Sequence, residues 1–289
     1  MSQTSSALPD ISVVVPAYNE AGNVVPLARE IAEALEGRNF EIIFVDDHSS
    51  DATREELVAA KAELPMLRVV SHRHNAGQSR SIRTGVMHAR GAVVATLDGD
   101  GQNPPQDLPT VIDALTRPDA PEGLALVGGD RTANRQDSTW KKFASRVGNG
   151  IRKGLLSDDC NDTGCGLKAF RRQAYLELPF FDHQHRFIPA LMNREGYLCE
   201  FRPVSHRHRT IGSSKYTNFG RLFASLTDIL GMMWLNSRAR SPRGGPRRGG
   251  RPAPGAGPSC TCSRRRRSCG RWCSRTARRS CTRRTSRSW

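Results

Sequence analysis

The feature that most constrains this chain is a repeated alternation. Short apolar runs end abruptly on polar turns, and each turn leads into a segment with helical spacing. Residues 11–15 (Ile-Ser-Val-Val-Val) stop at Pro16, 41–45 (Glu-Ile-Ile-Phe-Val) stop at Asp46-Asp47, and 92–97 (Ala-Val-Val-Ala-Thr-Leu) stop at Asp98. Between the first two, Val24, Val25, Leu27, Ile31 and Leu35 recur at helical intervals. A polar helix is expected over 51–63, a strand over 67–70 and a helix over 77–90. Strands alternating with helices build βαβ units and a mostly parallel sheet. The runs are nearly continuous in apolar residues, as strands covered on both faces require.

The second half continues the pattern less regularly. Helices are expected near 106–117 and 139–154, strands at 124–128, 165–170 and 197–203, and two helical pieces between the last two strands. Residues 217–235 read as one helix with Phe219, Leu222, Phe223, Leu226, Ile229, Leu230, Met233 and Trp234 on a broad apolar face, broken by Arg221 and Asp228. That pattern suits a helix lying in a membrane interface; a core-packing helix is the alternative. No run of about 18 apolar residues marks a spanning helix. The polar first ten residues lack the charged start and apolar run of a signal peptide.

Charge matters only once it is located. The whole chain carries +16, yet 17 arginines, with no Asp, Glu or Lys, lie from Arg238 onward. The remaining 27 basic residues face 28 acidic ones, so the body is electrically ordinary. The tail is rich in Arg, Ser, Pro, Gly, Cys and Thr without apolar periodicity, and disorder is expected. Arg without Lys, joined by Cys and Trp, is the residue set of GC-rich codons, so the tail reads as an out-of-frame translation, which resequencing would test. An Arg-rich nucleic-acid arm is the alternative; Cys260, Cys262, Cys269 and Cys273 do not have a common zinc spacing. Three cysteines in the body, Cys160, Cys165 and Cys199, do not make a disulfide framework.

Chemistry gathers at the turns. Asp98-Gly-Asp100-Gly-Gln102 follows the fourth apolar run. Two carboxylates two residues apart can converge on a hard divalent cation, Mg2+ or Mn2+, leaving positions for phosphate oxygens, with Gln102 adding a neutral oxygen. Pro16-Ala-Tyr18-Asn-Glu20 closes the first strand and Asp46-Asp47-His48-Ser49-Ser50-Asp51 the second. Carboxylates there can accept from ribose hydroxyls and base N–H groups; Ser50 or Asp51 is also expected to cap the next helix. Open α/β sheets bind ligands at this edge.

The order Val-Pro-Ala-Tyr-Asn-Glu, Val-Asp-Asp-His-Ser-Ser-Asp, Asn75-Ala-Gly77-Gln78 and Leu-Asp-Gly-Asp-Gly-Gln-Asn-Pro-Pro resembles glycosyltransferase family 2, in its dolichol- and polyprenol-phosphate mannosyltransferase branch. The resemblance spans about residues 10–235 and implies a Rossmann-like glycosyltransferase A-type fold. It implies nucleotide-sugar contacts at Pro16, Tyr18, Glu20, Asp46, Asp47, Gln78 and Asp98, and a metal and diphosphate site at Asp98, Asp100 and Gln102. Gly129-Asp130-Arg131, the segment from Asp162 to Arg172, and the basic stretch from His206 to Tyr216 also match that branch. Arg131, Arg209 and Lys215 are then expected to hold the acceptor phosphate and the donor diphosphate, with Asp100 in the catalytic set. Inversion at the anomeric carbon is implied.

The expected organisation is therefore a flexible 1–9, a catalytic domain over 10–212, a membrane-surface helix region over 213–236 and the tail over 237–289. The expected partners are a nucleotide-sugar (GDP-mannose or a UDP-sugar), a polyprenyl phosphate and a membrane surface, with no nucleic acid; the expected place is peripheral, at the cytoplasmic face of the plasma (inner) membrane, or soluble in the cytoplasm if the tail is an out-of-frame product lacking a membrane anchor. A sugar-phosphate nucleotidyltransferase is the rival enzyme class; it would carry a Gly-rich phosphate loop after the first strand, where this chain has Pro-Ala-Tyr-Asn-Glu.

Overall fold

The computed structural model describes residues 8–132, 160, 162, 164–207 and 218–238, with side chains of the last segment described from 227. Its centre is a seven-stranded sheet: β1 (Ile11–Ala17), β2 (Phe40–Asp46), β3 (Leu67–Ser71), β4 (Val93–Thr96), β5 (Leu124–Asp130), β6 (Lys168–Arg171) and β7 (Leu198–Pro203). The spatial order is β3-β2-β1-β4-β6-β5-β7. All neighbouring pairs are parallel except the two made by β6, which is antiparallel to β4 and β5. The expected mostly parallel sheet is present, and the one reversed strand comes from the second half, where the regular alternation breaks down.

Helices cover both faces: α1 (Val24–Ala34), α2 (Thr53–Ala60), α3 (Gln78–His88), α4 (Leu108–Thr116), α5 (Arg172–Leu176), α6 (Ile188–Arg194) and α7 (Asn218–Ser237). The expected helix over 139–154 lies outside the described residues. Successive strand residues feed opposite layers, because side chains alternate along a strand. Val13, Val15, Ile42 and Phe44 join α1, α2 and α4 in one core; Val14, Ile43 and Val45 join α3, α5, α6 and Met232 of α7 in the other. These side chains are fully buried, and each contributes roughly 1.5–3 kcal/mol of apolar burial.

This architecture has a consequence for function. β1, β2 and β4 are parallel and adjacent, so their carboxyl ends share one edge. The turns after Ala17, Asp46 and Thr96 therefore open on the same side. At the opposite edge, Glu41 accepts from Ser12 Oγ (2.7 Å), the Arg90 amide (2.7 Å) and Arg68 (2.5 Å), which ties β1, β2, β3 and the α3–β4 turn together.

Among the described residues, no helix is long and apolar enough to cross a membrane. Helix α7 divides its apolar residues. Met232 is buried and Ile229, Met233 and Leu235 pack on the core, whereas Leu230 (64% exposed) and Trp234 (63%) face outward. Over its described side chains the helix is thus core-packing on one side and exposed on the other, where Arg238 lies over the Trp234 ring.

Candidate functional site

The turn after β1 and the turn after β2 are locked together. Asn19 (φ 54°) and His48 (φ 63°) both adopt the left-handed region. The Asn19 amide donates to Ser49 Oγ (3.0 Å), and Asn19 Oδ1 accepts from the Ser50 amide (2.8 Å). Glu20 receives Asn23 Nδ2 (2.8 Å) on its carboxylate, while its amide donates to Thr53 Oγ1 (2.8 Å). Asp51 accepts from the Thr53 amide (3.0 Å) at the start of α2 and from the Ala21 amide (3.2 Å), so it both ends the turn and pins the neighbouring one. Neither capping candidate occupies the N-cap of α2, which is Ala52 without a side-chain cap; Asp51, one residue earlier, meets the first helical amide instead. Tyr18 lies 42% exposed on this rim.

Asp46 and Asp47 are both buried, at 2% and 3% exposure. Asp46 is turned into its own loop, where Oδ1 accepts from the Ser49 amide (3.1 Å). Asp47 reaches across to the loop after β3: Oδ1 meets His72 Nδ1 (2.7 Å) and the Ala76 amide (2.9 Å), and Oδ2 accepts from the Gly77 amide (2.7 Å). The next residue, Gln78, donates from Nε2 to Asp98 Oδ1 (2.8 Å). Two consecutive residues thus bridge the carboxylate after β2 to the carboxylate after β4.

The Asp98 loop is fitted by glycines at two close approaches. A Cβ on Gly99 would lie 2.6 Å from the Pro16 carbonyl oxygen, so only glycine lets this loop press on the end of β1. A Cβ on Gly166 would lie 2.2 Å from Asp98 Oδ2, so the carboxylate lies directly against that backbone. Asn103 Nδ2 donates to Asp98 Oδ2 (3.1 Å), and Asp100 Oδ1 accepts from the Gln102 amide (3.1 Å). The Gln102 carbonyl in turn receives the Arg207 amide (2.9 Å). Burial, and then the charge of Asp100, hold the Asp98 carboxyl above the usual carboxylate range; Lys168 and Arg131 oppose this.

These residues fit a hard divalent cation. Two like charges crowd one loop, and a cation relieves that crowding. Carboxylate and amide oxygens are the ligands Mg2+ and Mn2+ take. Among the described residues no group of three His, Cys, Asp or Glu is placed to hold a metal ion.

Arg131 follows β5 and meets Asp162 in a two-pronged pair, Nε to Oδ2 (2.7 Å) and Nη2 to Oδ1 (3.0 Å). Burial alone would weaken the guanidinium, but the Asp162 carboxylate holds its pKa above the ordinary arginine value; burial opposes and Arg131 lowers the Asp162 carboxyl. Lys168 is 4% exposed and donates from Nζ to the Cys165 carbonyl. Arg209 and Lys215 lie outside the described residues. The expected residues Pro16, Tyr18, Glu20, Asp46, Asp47, Gln78, Asp98, Asp100 and Gln102 all lie on this one edge.

Sequence reasoning missed His72, which Asp47 contacts, and left Asn103 and Asp162 without a role. His72 carried a faint signal as a polar residue directly after an apolar run. Asn103 and Asp162 stand within segments that resemble the family, but their partners, 5 and 31 residues away, gave no local signal.

Residues 12–178 match the family model described as Glycosyl transferase family 2. The chain is 36% identical over 223 residues to an undecaprenyl-phosphate 4-deoxy-4-formamido-L-arabinose transferase of Klebsiella pneumoniae (strain 342), covering 76% of this chain and 66% of that protein. It is 35% identical over 224 residues to the protein of the same description from Salmonella paratyphi B, with the same coverages. The chain thus spans just under two thirds of the length of these relatives. Among solved structures, glucosyl-3-phosphoglycerate synthase from Mycobacterium tuberculosis, in complex with Mn2+, UDP and phosphoglyceric acid, superposes with a TM-score of 0.59 at 18% identity, covering 81% of this chain and 80% of that one. A mannosyltransferase from Pyrobaculum calidifontis, in complex with GDP-Man and Mn2+, superposes with a TM-score of 0.55 at 17% identity, covering 82% and 66%. The architecture is therefore that of glycosyltransferase A-type proteins.

Proposed function

Since the chain belongs to glycosyl transferase family 2, we propose that it moves a sugar from a nucleotide-sugar, GDP-mannose or a UDP-sugar, to a polyprenyl phosphate at the cytoplasmic face of a membrane, with inversion at the anomeric carbon. The observation that carries this reading is the bridge from Asp47 through Gly77 and Gln78 to Asp98, which joins the polar turn after β2 to the paired-carboxylate loop after β4. The relatives named for undecaprenyl-phosphate transfer support the lipid acceptor.

In this reading Pro16, Tyr18, Glu20, Asp46 and Asp47 line the nucleoside side, and Gln78 orients Asp98. Asp98 and Asp100, with Gln102 beside them, hold Mg2+ or Mn2+. That ion supplies charge stabilisation for a departing nucleoside diphosphate. Arg131, oriented by Asp162, is assigned to the acceptor phosphate together with Arg209 and Lys215. A lipid phosphate is already anionic at pH 7, so no strong general base is required.

The test is to offer UDP- and GDP-sugars with a polyprenyl phosphate and Mn2+ or Mg2+, and to identify the glycolipid. Asp100→Ala is expected to lower kcat/KM by at least about 100-fold, the scale of losing electrostatic stabilisation of a developing charge. Near-normal transfer by that variant at saturating metal would refute its role. Failure of the unsubstituted protein to glycosylate the lipid with any donor would refute the reading itself.

A further inference from the structure

His72 is the first residue beyond β3. Its backbone amide donates to the Asp46 carbonyl (2.9 Å), which carries the β2–β3 ladder one step past the strands. Its ring is gripped at both nitrogens: Nδ1 lies 2.7 Å from Asp47 Oδ1, and Nε2 lies 2.8 Å from Thr84 Oγ1 on α3. The side chains of His72 and Asp47 are 13% and 4% exposed. An ionised carboxylate only accepts hydrogen bonds, so Nδ1 carries the hydrogen, and in the neutral ring Nε2 accepts from the Thr84 hydroxyl. One imidazole therefore joins three elements: the end of β2, the end of β3 and the middle of α3.

A carboxylate offers about four acceptor positions. Among the described residues, His72, the Ala76 amide and the Gly77 amide occupy three of those on Asp47. Asn75 Nδ2 also donates to the Asp47 carbonyl (3.3 Å). The carboxylate plane is thus set by the ring on one side and by the 75–77 backbone on the other. Removing the ring contact leaves the carboxylate held by the Ala76 and Gly77 amides alone, both from the loop it is meant to position. The loop it holds continues into Gln78, which contacts Asp98.

We propose that His72 is a positioning residue for nucleotide binding: it orients the Asp47 carboxylate, and through Asp47 the 75–78 loop, so that a nucleoside diphosphate is received. This rests on the reading of Asp47 as a nucleotide contact.

The test uses UDP and GDP as probes, with Mn2+, in calorimetric titrations of the full chain, together with steady-state transfer kinetics. His72→Phe keeps a planar ring without its nitrogens. His72→Asn keeps an N–H close to the Nδ1 position. The Phe variant is expected to bind the preferred nucleotide about ten-fold more weakly, the equivalent of one charge-assisted hydrogen bond. Its KM for nucleotide-sugar should rise in proportion while kcat changes less than about two-fold. The Asn variant should bind within about three-fold of the unsubstituted protein.

Equal binding by the Phe variant and the unsubstituted protein would overturn this inference and leave the proposed function standing. Binding of neither nucleotide by the unsubstituted protein would overturn both. If the Phe variant loses cooperative unfolding, Thr84→Val, which removes the hydroxyl that holds the ring at Nε2, decides: native-like folding with several-fold weaker nucleotide binding supports the positioning role, and native-like folding with unchanged binding refutes it.

Discussion

The imidazole of His185 sits against Ser79. Its Nδ1 lies 2.7 Å from Ser79 Oγ, and its backbone amide donates to the same oxygen (3.2 Å), so the serine hydrogen points to the ring. Burial, helped by the positive charge of Lys168 and Arg186, pushes the pKa of His185 down to about 3. An exposed histidine in the unfolded chain titrates near 6.5. Between these values the unfolded state binds a proton that the native state refuses, so stability falls as pH drops below about 6.5 toward 3. Above 6.5 the group is neutral in both states and contributes no slope. Urea unfolding between pH 4 and 6.5 should show a shallower loss of stability for His185→Asn than for the unsubstituted chain. Parallel slopes would show that His185 does not titrate this way.

At the scale of elements, α3 deserves its position to one residue. A Cβ on Gly85 would lie 2.3 Å from Val14 Cγ1 on β1, so the helix rests on the sheet only because residue 85 has no side chain. Helix α3 also carries Gln78 and Thr84, and so connects the sheet to the candidate site. Gly85→Ala is expected to cost about 1–3 kcal/mol through overpacking, visible as a lower thermal midpoint. Adding Val14→Ala should recover part of that loss, because the two side chains compete for one space. Strictly additive losses would show that the contact does not limit the packing.

For the whole molecule, membrane approach is the proposal that geometry bears on most directly. Helix α7 is fastened by Met232, by its packed neighbours and by Asp228 Oδ2, 3.0 Å from His183 Nδ1. That leaves Leu230 and Trp234, one helical turn apart, exposed. In this proposal the exposed pair enters the headgroup boundary of a bilayer. The 17 arginines from Arg238 onward would mask this in anionic vesicles, so neutral phosphatidylcholine vesicles isolate the apolar contribution. Leu230→Asp with Trp234→Asp is expected to reduce co-sedimentation with such vesicles several-fold. Unchanged sedimentation would exclude this face as the contact.

The amino-acid sequence by itself determined the alternation of strands and helices, the mostly parallel sheet and the gathering of polar turns at one edge. Those properties follow from local apolar periodicity and from the rule that parallel neighbours align their carboxyl ends. Seven strands and the described helices lie within a few residues of where spacing put them, and Asp98 and Asp100 stood out from their own turn. The reversal of β6, the seating of α3 on Val14 and the choice of partner for each carboxylate were decided in three dimensions. Asp47 meets His72 and Gly77, 25 and 30 residues away, and Arg131 meets Asp162, 31 residues away. Such pairs depend on how distant segments approach after the core has packed, and no local pattern encodes that approach.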